Sequence, residues 1–365
     1  MRILHVLPSM APGGMEQLVI QLTADAIGHG DSVVVVSGQG AWVEKVLETG
    51  AVHVVLPATS RDSPLSMKAV AATARLARCI RHVRPDVVHA HNVRATVLAR
   101  LALVATHHRA VLVPTLHGVA PGDYDATSRI LRYTARRVIA CAPSVARSLE
   151  AAGFPRDRID VITNGAALHS VGPERQADLR ASLHLGTAPL VVGIGRLVEQ
   201  KDWPVFIEAA SRMEGPSFVV AGDGPLRQEL MNLARRSGNR VRFLGVVDDI
   251  AALVGLASCV VSTSAWEGLP LTLLEALSLG APVVATAVDG VTDLVPPAAA
   301  LLVAPGDPAA VSEAISRVLT DDDLATNLRR NALAAAPSWG LQGMLDRYRN
   351  AYRAAVEGKP RWVTP

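Results

Sequence analysis

Short apolar runs alternate with amphipathic stretches along the whole chain. RILHVLP, SVVVVS, VHVVLP, DVVHAH, AVLVPTLH, VIACA and DVITNG occupy the first half, and LVVGIGR, SFVVAGDG, RFLGVV, CVVSTS and PVVATA the second. Most of these runs are nearly continuous in Val, Ile, Leu and Ala, as expected for strands covered on both faces. Each is followed by a stretch with helical spacing. Strands that alternate with helices predict parallel βαβ units, and two such series predict two doubly wound α/β sheets. No tandem repeat or low-complexity tract interrupts them.

The rhythm breaks in AALHSVGPERQ, where His169, Gly172 and Pro173 stand between the last strand of one series and the first helix of the next. Residues 1–168 are therefore expected to form one Rossmann-like domain and residues 169–339 a second. SWGLQGMLDRYRNAYRAAVEG follows Pro337, beyond the last predicted strand. Its helical spacing predicts a terminal segment, about 340–365, that crosses back onto the first domain.

Composition agrees with this division. The 365 residues exceed what a single core usually organises, roughly 250–300 residues. Half are apolar, so two cores can be filled, and only 4% are aromatic, which suits helices on parallel strands better than a β-sandwich. The formal charge of +3 is unevenly spread. Residues 1–170 hold 18 Lys and Arg against 12 Asp and Glu, and the remainder holds 18 against 21; ten of the eleven His are also in the first part. A basic half suits a phosphate-bearing or anionic-membrane partner, and equally a set of solvated Arg on helix faces. Cys79, Cys141 and Cys259 show no C-x-x-C spacing and read as reduced core thiols. The opening MRILHVLPSM reads as a first strand rather than a secretory signal, and no apolar run reaches the ~18 residues of a membrane span. The expected location is cytoplasmic, at most peripheral at the inner face of a membrane.

The motif richest in chemistry is E-G-L-P-L-T-L-L-E-A-L, with Glu267 and Glu275 eight residues apart. Gly268, Leu269 and Pro270 break the chain between a strand and a helix that opens at Leu271 and Thr272, where free amides can receive a phosphate. Carboxylates beside such an anion site suit ligand hydroxyls: a ribose diol for Glu275 and a sugar hydroxyl for Glu267. An ordinary helix-terminal charge and a solvated one would have the same spacing. In G-I-G-R-L-V-E-Q-K-D, Arg196 and Lys201 follow the carboxyl end of a buried strand, where doubly wound sheets bind ligands. They could clamp a pyrophosphate, Arg196 through its planar fork and Lys201 as a point charge, or be merely solvated. Asp202 is expected to point away as a helix cap. G-D-G-P at 222–225 is a tight turn that allows close backbone approach.

In the first half, PSMAPGGME places Gly13 and Gly14 before a helix starting near Glu16, a second anion-compatible terminus. It lacks the full dinucleotide and P-loop patterns, which argues against a dehydrogenase or an ATPase. VHAHN and TLHG put His89, His91, Asn92, His117 and Gly118 at strand ends, where each His is either structural or faces a ligand. Asp123 and Asp125 form a D-Y-D in a Pro/Gly loop that reads as turn chemistry rather than a metal site. Asp321–Asp323 reads as a helix N-cap and first turn.

In order and spacing, GGME, VHAHN, TLHG, APSVARSL, VITNG, GRLVEQK, AGDGPL, FLG and EGLPLTLLEALSLGAPVVAT resemble the retaining glycosyltransferases of family 4, of GT-B fold. The likeness spans nearly the whole chain, and E-x7-E is its most specific part. It implies two Rossmann-like domains facing across a cleft, and a donor nucleotide sugar bearing UDP or GDP. Arg196, Lys201 and the amides near Leu271 and Thr272 would hold its pyrophosphate. Glu275 would hold the ribose, Glu267 the transferred sugar and the main chain near Val246 the base. His117 resembles the His that faces the reacting sugar, and Gly14 the Gly that approaches the phosphate. The acceptor would be a hydroxyl of a glycan, a lipid-linked glycan or a small natural product, with no nucleic acid, no cofactor and no metal. The sequence departs from the family where N-G-V-D reads Asn164-Gly165-Ala166-Ala167 and where Lys-Gly reads Lys201-Asp202. A nucleotide-sugar epimerase of the same architecture and a non-catalytic nucleotide-sugar-binding protein are the alternatives.

One stretch stands apart from these motifs. SMKAVAATARLARCIRHVR sets Lys68, Arg75, Arg78 and Arg81 at near-helical intervals with Val70, Leu76 and Ile80 between them. It reads as an ordinary surface helix or as one that lies on an anionic bilayer.

Overall fold

The computed structural model describes residues 1–56, 67–166 and 171–363. The chain divides into two compact units, Met1–Asn164 with Gln342–Pro365, and Gly165–Leu341. The terminal segment is thus grouped with the first unit. His169 of the expected join lies outside the described residues, as does Pro57 at the end of VHVVLP.

In the first unit the strands are β1 (Arg2–Ser9), β2 (Ser32–Gly38), β3 (Val52–Val55), β4 (Val87–Ala90), β5 (Val111–Leu116), β6 (Val138–Ala140) and β7 (Ile159–Val161). They form one parallel sheet in the order β3-β2-β1-β4-β5-β6-β7. Because successive side chains alternate between faces, β1 and β4 present two different surfaces. Leu4, Val6, Val88 and Ala90 pack with Leu76, Ile80, Leu98 and Ala99 in an aliphatic core. His5 and His89, register partners, point to the opposite face. The helix Leu341–Val356 meets that face through the rings of Tyr348 and Tyr352.

The second unit contains β8 (Leu190–Ile194), β9 (Ser217–Ala221), β10 (Val241–Gly245), β11 (Cys259–Ser262), β12 (Val283–Thr286) and β13 (Leu301–Val303), parallel in the order β10-β9-β8-β11-β12-β13. β13 was not predicted. It is a three-residue edge strand in an Ala-rich stretch, too short to carry a period. Phe206, Phe218, Trp203, Ile207 and Val191 lead the core between this sheet and its helices. Where the chain enters and leaves this unit, Ala166 pairs with Gly340, and a Cβ on Gly165 would sit 2.8 Å from Leu341 Cα.

Both sheets reverse strand order once, between β1 and β4 and between β8 and β11. Such a reversal opens a crevice at the carboxyl ends of the strands, the usual ligand position in doubly wound folds.

Candidate functional site

The loops at the β8/β11 reversal are locked together by backbone contacts that only glycine permits. A Cβ on Gly222 would fall 1.9 Å from Gly195 O, and one on Gly224 would fall 2.5 Å from Leu197 O. Leu197 N–H donates to Asp223 O at 2.9 Å, and Gly222 N–H donates to Gly245 O at 2.7 Å. G-D-G-P is therefore the piece that ties the turns after β8, β9 and β10 into one surface. Arg196 emerges from it exposed, with no ion pair among the described residues, and Val246 is exposed beside Gly245.

Across the reversal, the side chain of Glu267 is only 5% exposed and its carboxylate is fully engaged. Lys201 Nζ donates to its Oε1 at 2.5 Å, Ser264 Oγ donates to the same oxygen at 2.6 Å, and Gln200 Nε2 donates to Oε2 at 3.2 Å. Lys201, expected to clamp a pyrophosphate, is thus paired with Glu267 in the structure. The reason lies in the strand ends, since Thr263 Oγ1 donates to Lys201 O and Asp202 O and so fastens the 199–202 turn onto β11. Asp202 stands at the N-cap of the helix Trp203–Ser211 with φ 45°, and its half-buried carboxyl faces the Val205 N–H without closing a full capping hydrogen bond. Gln200, Thr263 and Ser264 carry no motif signal of their own, and sequence reasoning missed them.

After Glu267 the chain turns through buried Gly268 and Leu269 into the helix Leu271–Ser278, with Pro270 at its N-cap. Gly290 abuts this turn so closely that a Cβ would lie 2.5 Å from Glu267 O. Leu271 is buried and Thr272 half-buried at the helix opening. Glu275 lies one turn further on. Burial pushes its carboxyl up to about 7, and it forms no ion pair among the described residues.

In the first unit, Gly14 is exposed at the start of the helix Gly14–Gly28, after the loop that follows β1. His91 and His117 each stand one residue past the carboxyl ends of the paired strands β4 and β5. Their rings stack at 5.8 Å between centroids and 14° between planes. His91 Nε2 and His5 Nδ1 share a hydrogen bond of 2.9 Å, and His89 bonds Tyr352 OH through Nδ1 and Thr115 Oγ1 through Nε2, both at 2.7 Å. Burial lowers all four imidazoles: His5 to about 3, His117 to about 4, and His89 and His91 well below the ordinary range, these two also opposed by their His neighbours. The cluster is neutral at physiological pH. His5, His89 and His91 lie close enough for a metal to bridge them. His89 has both nitrogens committed to hydroxyls, however, so the arrangement reads as a hydrogen-bonded network. Asn92 is a helix cap, accepting from Ala95 N–H at 2.7 Å. His5, Tyr348 and Tyr352 are further members that the motifs did not reveal, although the i, i+4 tyrosines mark one face of the last helix.

The remaining expectations concern the surface and the thiols. Asp123 and Asp125 are exposed at a turn and a helix start, and Asp321 caps its helix by accepting from Leu324 N–H. Cys141 and Cys259 are buried, but Cys79 is only half-buried. In the helix Met67–Val83, Leu76 and Ile80 are wholly buried, so the apolar stripe is spent on the core. Met67 and Val70 remain exposed beside Lys68, Arg75, Arg78 and Arg81. No helix among the described residues is long and apolar enough to cross a membrane.

Comparison with known proteins agrees with this architecture. Residues 188–321 match the family model "Glycosyl transferases group 1", and residues 12–169 match "Glycosyltransferase Family 4". The lipopolysaccharide core biosynthesis glycosyltransferase LpsD of Rhizobium meliloti is 29% identical over 70% of this chain and 71% of its own. The 2-deoxystreptamine N-acetyl-D-glucosaminyltransferase of Streptomyces fradiae is 29% identical over 77% of this chain and 74% of its own. Among solved structures, Anabaena HepE in complex with UDP and glucose superposes with a TM-score of 0.85 at 23% identity, covering 96% of this chain and 99% of that one. With both halves matched in order and both sheets of the expected topology, this chain belongs to the family 4 glycosyltransferases, of GT-B fold.

Proposed function

We propose that this glycosyltransferase takes a nucleoside-diphosphate sugar, a UDP- or GDP-sugar, as donor and transfers the sugar to an acceptor hydroxyl with retention of anomeric configuration. One observation carries the reading: Glu275, a half-buried carboxyl without an ion-pair partner among the described residues, sits just inside the helix that opens after Glu267. A carboxyl so largely withdrawn from water is costly unless a ligand completes it, and a ribose diol supplies two donors. The free amides at Leu271 and Thr272 and the unpaired Arg196 would meet the diphosphate. Lys201 contributes indirectly, holding the Glu267 carboxylate toward a sugar hydroxyl.

In the proposed step the bond from the anomeric carbon to the diphosphate oxygen breaks, and the acceptor oxygen bonds on the same face. The acceptor proton passes to the departing diphosphate. Such a step relies on stabilising the leaving group, which the cation and amides do without a divalent ion. His117 acts as a neutral imidazole that orients the reacting sugar.

The exposed cations of the helix Met67–Val83 also suit electrostatic, peripheral contact with an anionic membrane surface. Co-sedimentation with anionic vesicles at low salt tests that contact, and its absence overturns it. The donor is tested by a thermal-shift screen of UDP and GDP. A ligand at 100 times its dissociation constant stabilises by about 2.7 kcal/mol, and no shift with either nucleotide would overturn the reading.

A further inference from the structure

We propose that Tyr352, through His89 and Thr115, is a positioning residue for His117; this rests on reading His117 as the imidazole that acts in turnover. The C-terminal helix Leu341–Val356 thereby helps set the geometry of a residue more than two hundred positions earlier.

His117 follows Thr115 by two residues, one past the end of β5, and its ring stacks on that of His91. Thr115 Oγ1 is bonded to His89 Nε2 at 2.7 Å and lies 3.4 Å from Tyr348 OH, and His89 Nδ1 is bonded to Tyr352 OH at 2.7 Å. A neutral imidazole has one donor and one acceptor nitrogen. With one nitrogen on each hydroxyl, the tautomer of His89 and the orientations of both hydroxyls are one coupled choice. The His89 ring lies 3.9 Å from that of His91, which stacks on His117 and is tied to His5. His117 Nε2 is buried without a hydrogen-bond partner, so the stack on His91 is the ring contact that orients it.

Tyr348 shares the Thr115 hydroxyl, while Tyr352 is the group bonded to His89 Nδ1. Asp25, which raises Tyr352 electrostatically, is bound by Arg349 at 2.7 Å, and Cys141 lies beside Tyr348. Both tyrosines are pushed upward by burial and stay protonated, so each offers a hydroxyl and no charge. Removing the Tyr352 hydroxyl leaves His89 Nδ1 unpartnered in a site closed to water. The ring then turns or changes tautomer, which disturbs its bond to Thr115 Oγ1 and its contact with the His91 ring, while the end of β5 stays paired with β6.

The test uses the full chain with Tyr352→Phe and Thr115→Val, each alone and combined. Long-range proton–nitrogen spectra of the imidazoles report the tautomers of His89 and His117. UDP release from UDP-glucose gives kcat and KM, and calorimetry gives UDP affinity. The expected result is altered His89 and His117 resonances in both variants and kcat roughly tenfold lower. KM and UDP affinity should stay within about twofold, and the double variant should be no worse than either single one. Unchanged His117 resonances in Tyr352→Phe would overturn the proposal whatever the donor is. Full turnover by His117→Ala would instead overturn the reading on which it rests. If Tyr352→Phe does not fold, Thr115→Val breaks the same link from inside the sheet and decides by the same spectra.

Discussion

Lys201 and Glu267, sixty-six residues apart in sequence, are joined by a 2.5 Å ion pair beside the reversal between β8 and β11. A cation and a carboxylate that the motifs assign to different parts of a donor are one structural object in the folded unit. Each constrains what the other can do.

Lys201→Met should therefore destabilise the unit Gly165–Leu341 even without ligand. The buried Glu267 would keep only Ser264 and Gln200. Removing one partner of a buried pair costs about 3–5 kcal/mol, with the two remaining hydrogen bonds placing this case at the lower end. Denaturant unfolding of Lys201→Met, Glu267→Gln and the double variant checks it. Strictly additive losses would mean that the pair does not act as a unit.

Glu275→Ala should weaken UDP or GDP binding by roughly ten- to a hundredfold, whereas Glu267→Ala should chiefly lower turnover. The division follows from geometry: Glu275 has no ionic partner to lose, while Glu267 is already held by three side chains. Calorimetric titration of both variants with the free nucleotide decides, and equal losses would contradict it.

The same Glu275 predicts a pH dependence. Its folded pKa, about 7, is raised from 4.5. Its contribution to stability is therefore fully present below pH 4.5 and lost as pH rises through 7, a change on the order of 3 kcal/mol. Glu275→Gln should flatten the stability of the second unit between pH 5 and 8. An unchanged profile would place the titration elsewhere.

The histidine cluster predicts the opposite slope in the first unit. His5, His89, His91 and His117 all have folded pKa values below the ordinary 6.5, so the stability they contribute is present above 6.5 and lost as pH falls toward their folded values. Each buried imidazole that must take a proton on unfolding adds about 1.4 kcal/mol per pH unit in that window. Hydrogen exchange read by mass spectrometry should show peptides of β1, β4 and β5 losing protection between pH 6 and 4, before peptides of β8 and β11. Simultaneous loss in both units would sink the idea.

Gly222→Ala should disconnect the turns after β8, β9 and β10. The new Cβ would meet Gly195 O at 1.9 Å, and the backbone there has φ 144°. Neither atom is a flexible side-chain end, so the loops must separate. The expected outcome is a lower melting temperature together with weaker nucleotide binding, read by calorimetry. Wild-type affinity in this variant would show that the turns do not shape the nucleotide surface.

Much of this protein was determined by its sequence alone. The near-continuous Val and Ile runs marked twelve strands, and their alternation with helical spacing marked parallel sheets, because a strand covered on both faces has no polar side to show. Of the strands among the described residues, only β13 escaped, for want of length. The ordered motifs also marked the family, and E-x7-E located Glu267 and Glu275 about a helix start. What the sequence could not decide was partnership. Lys201 and Glu267, or His89 and Tyr352, meet because strand order brings distant chain ends side by side, and no local period records that order. The same holds for the faces of the sheet. His5, His89 and Thr115 lie on three separate strands, with His117 just past the end of one, and only parity along each strand combined with pairing in register places His89 and Thr115 together beneath one helix. Spacing along the chain sets which way a side chain points; tertiary structure sets what it meets, and burial then decides whether it keeps its charge.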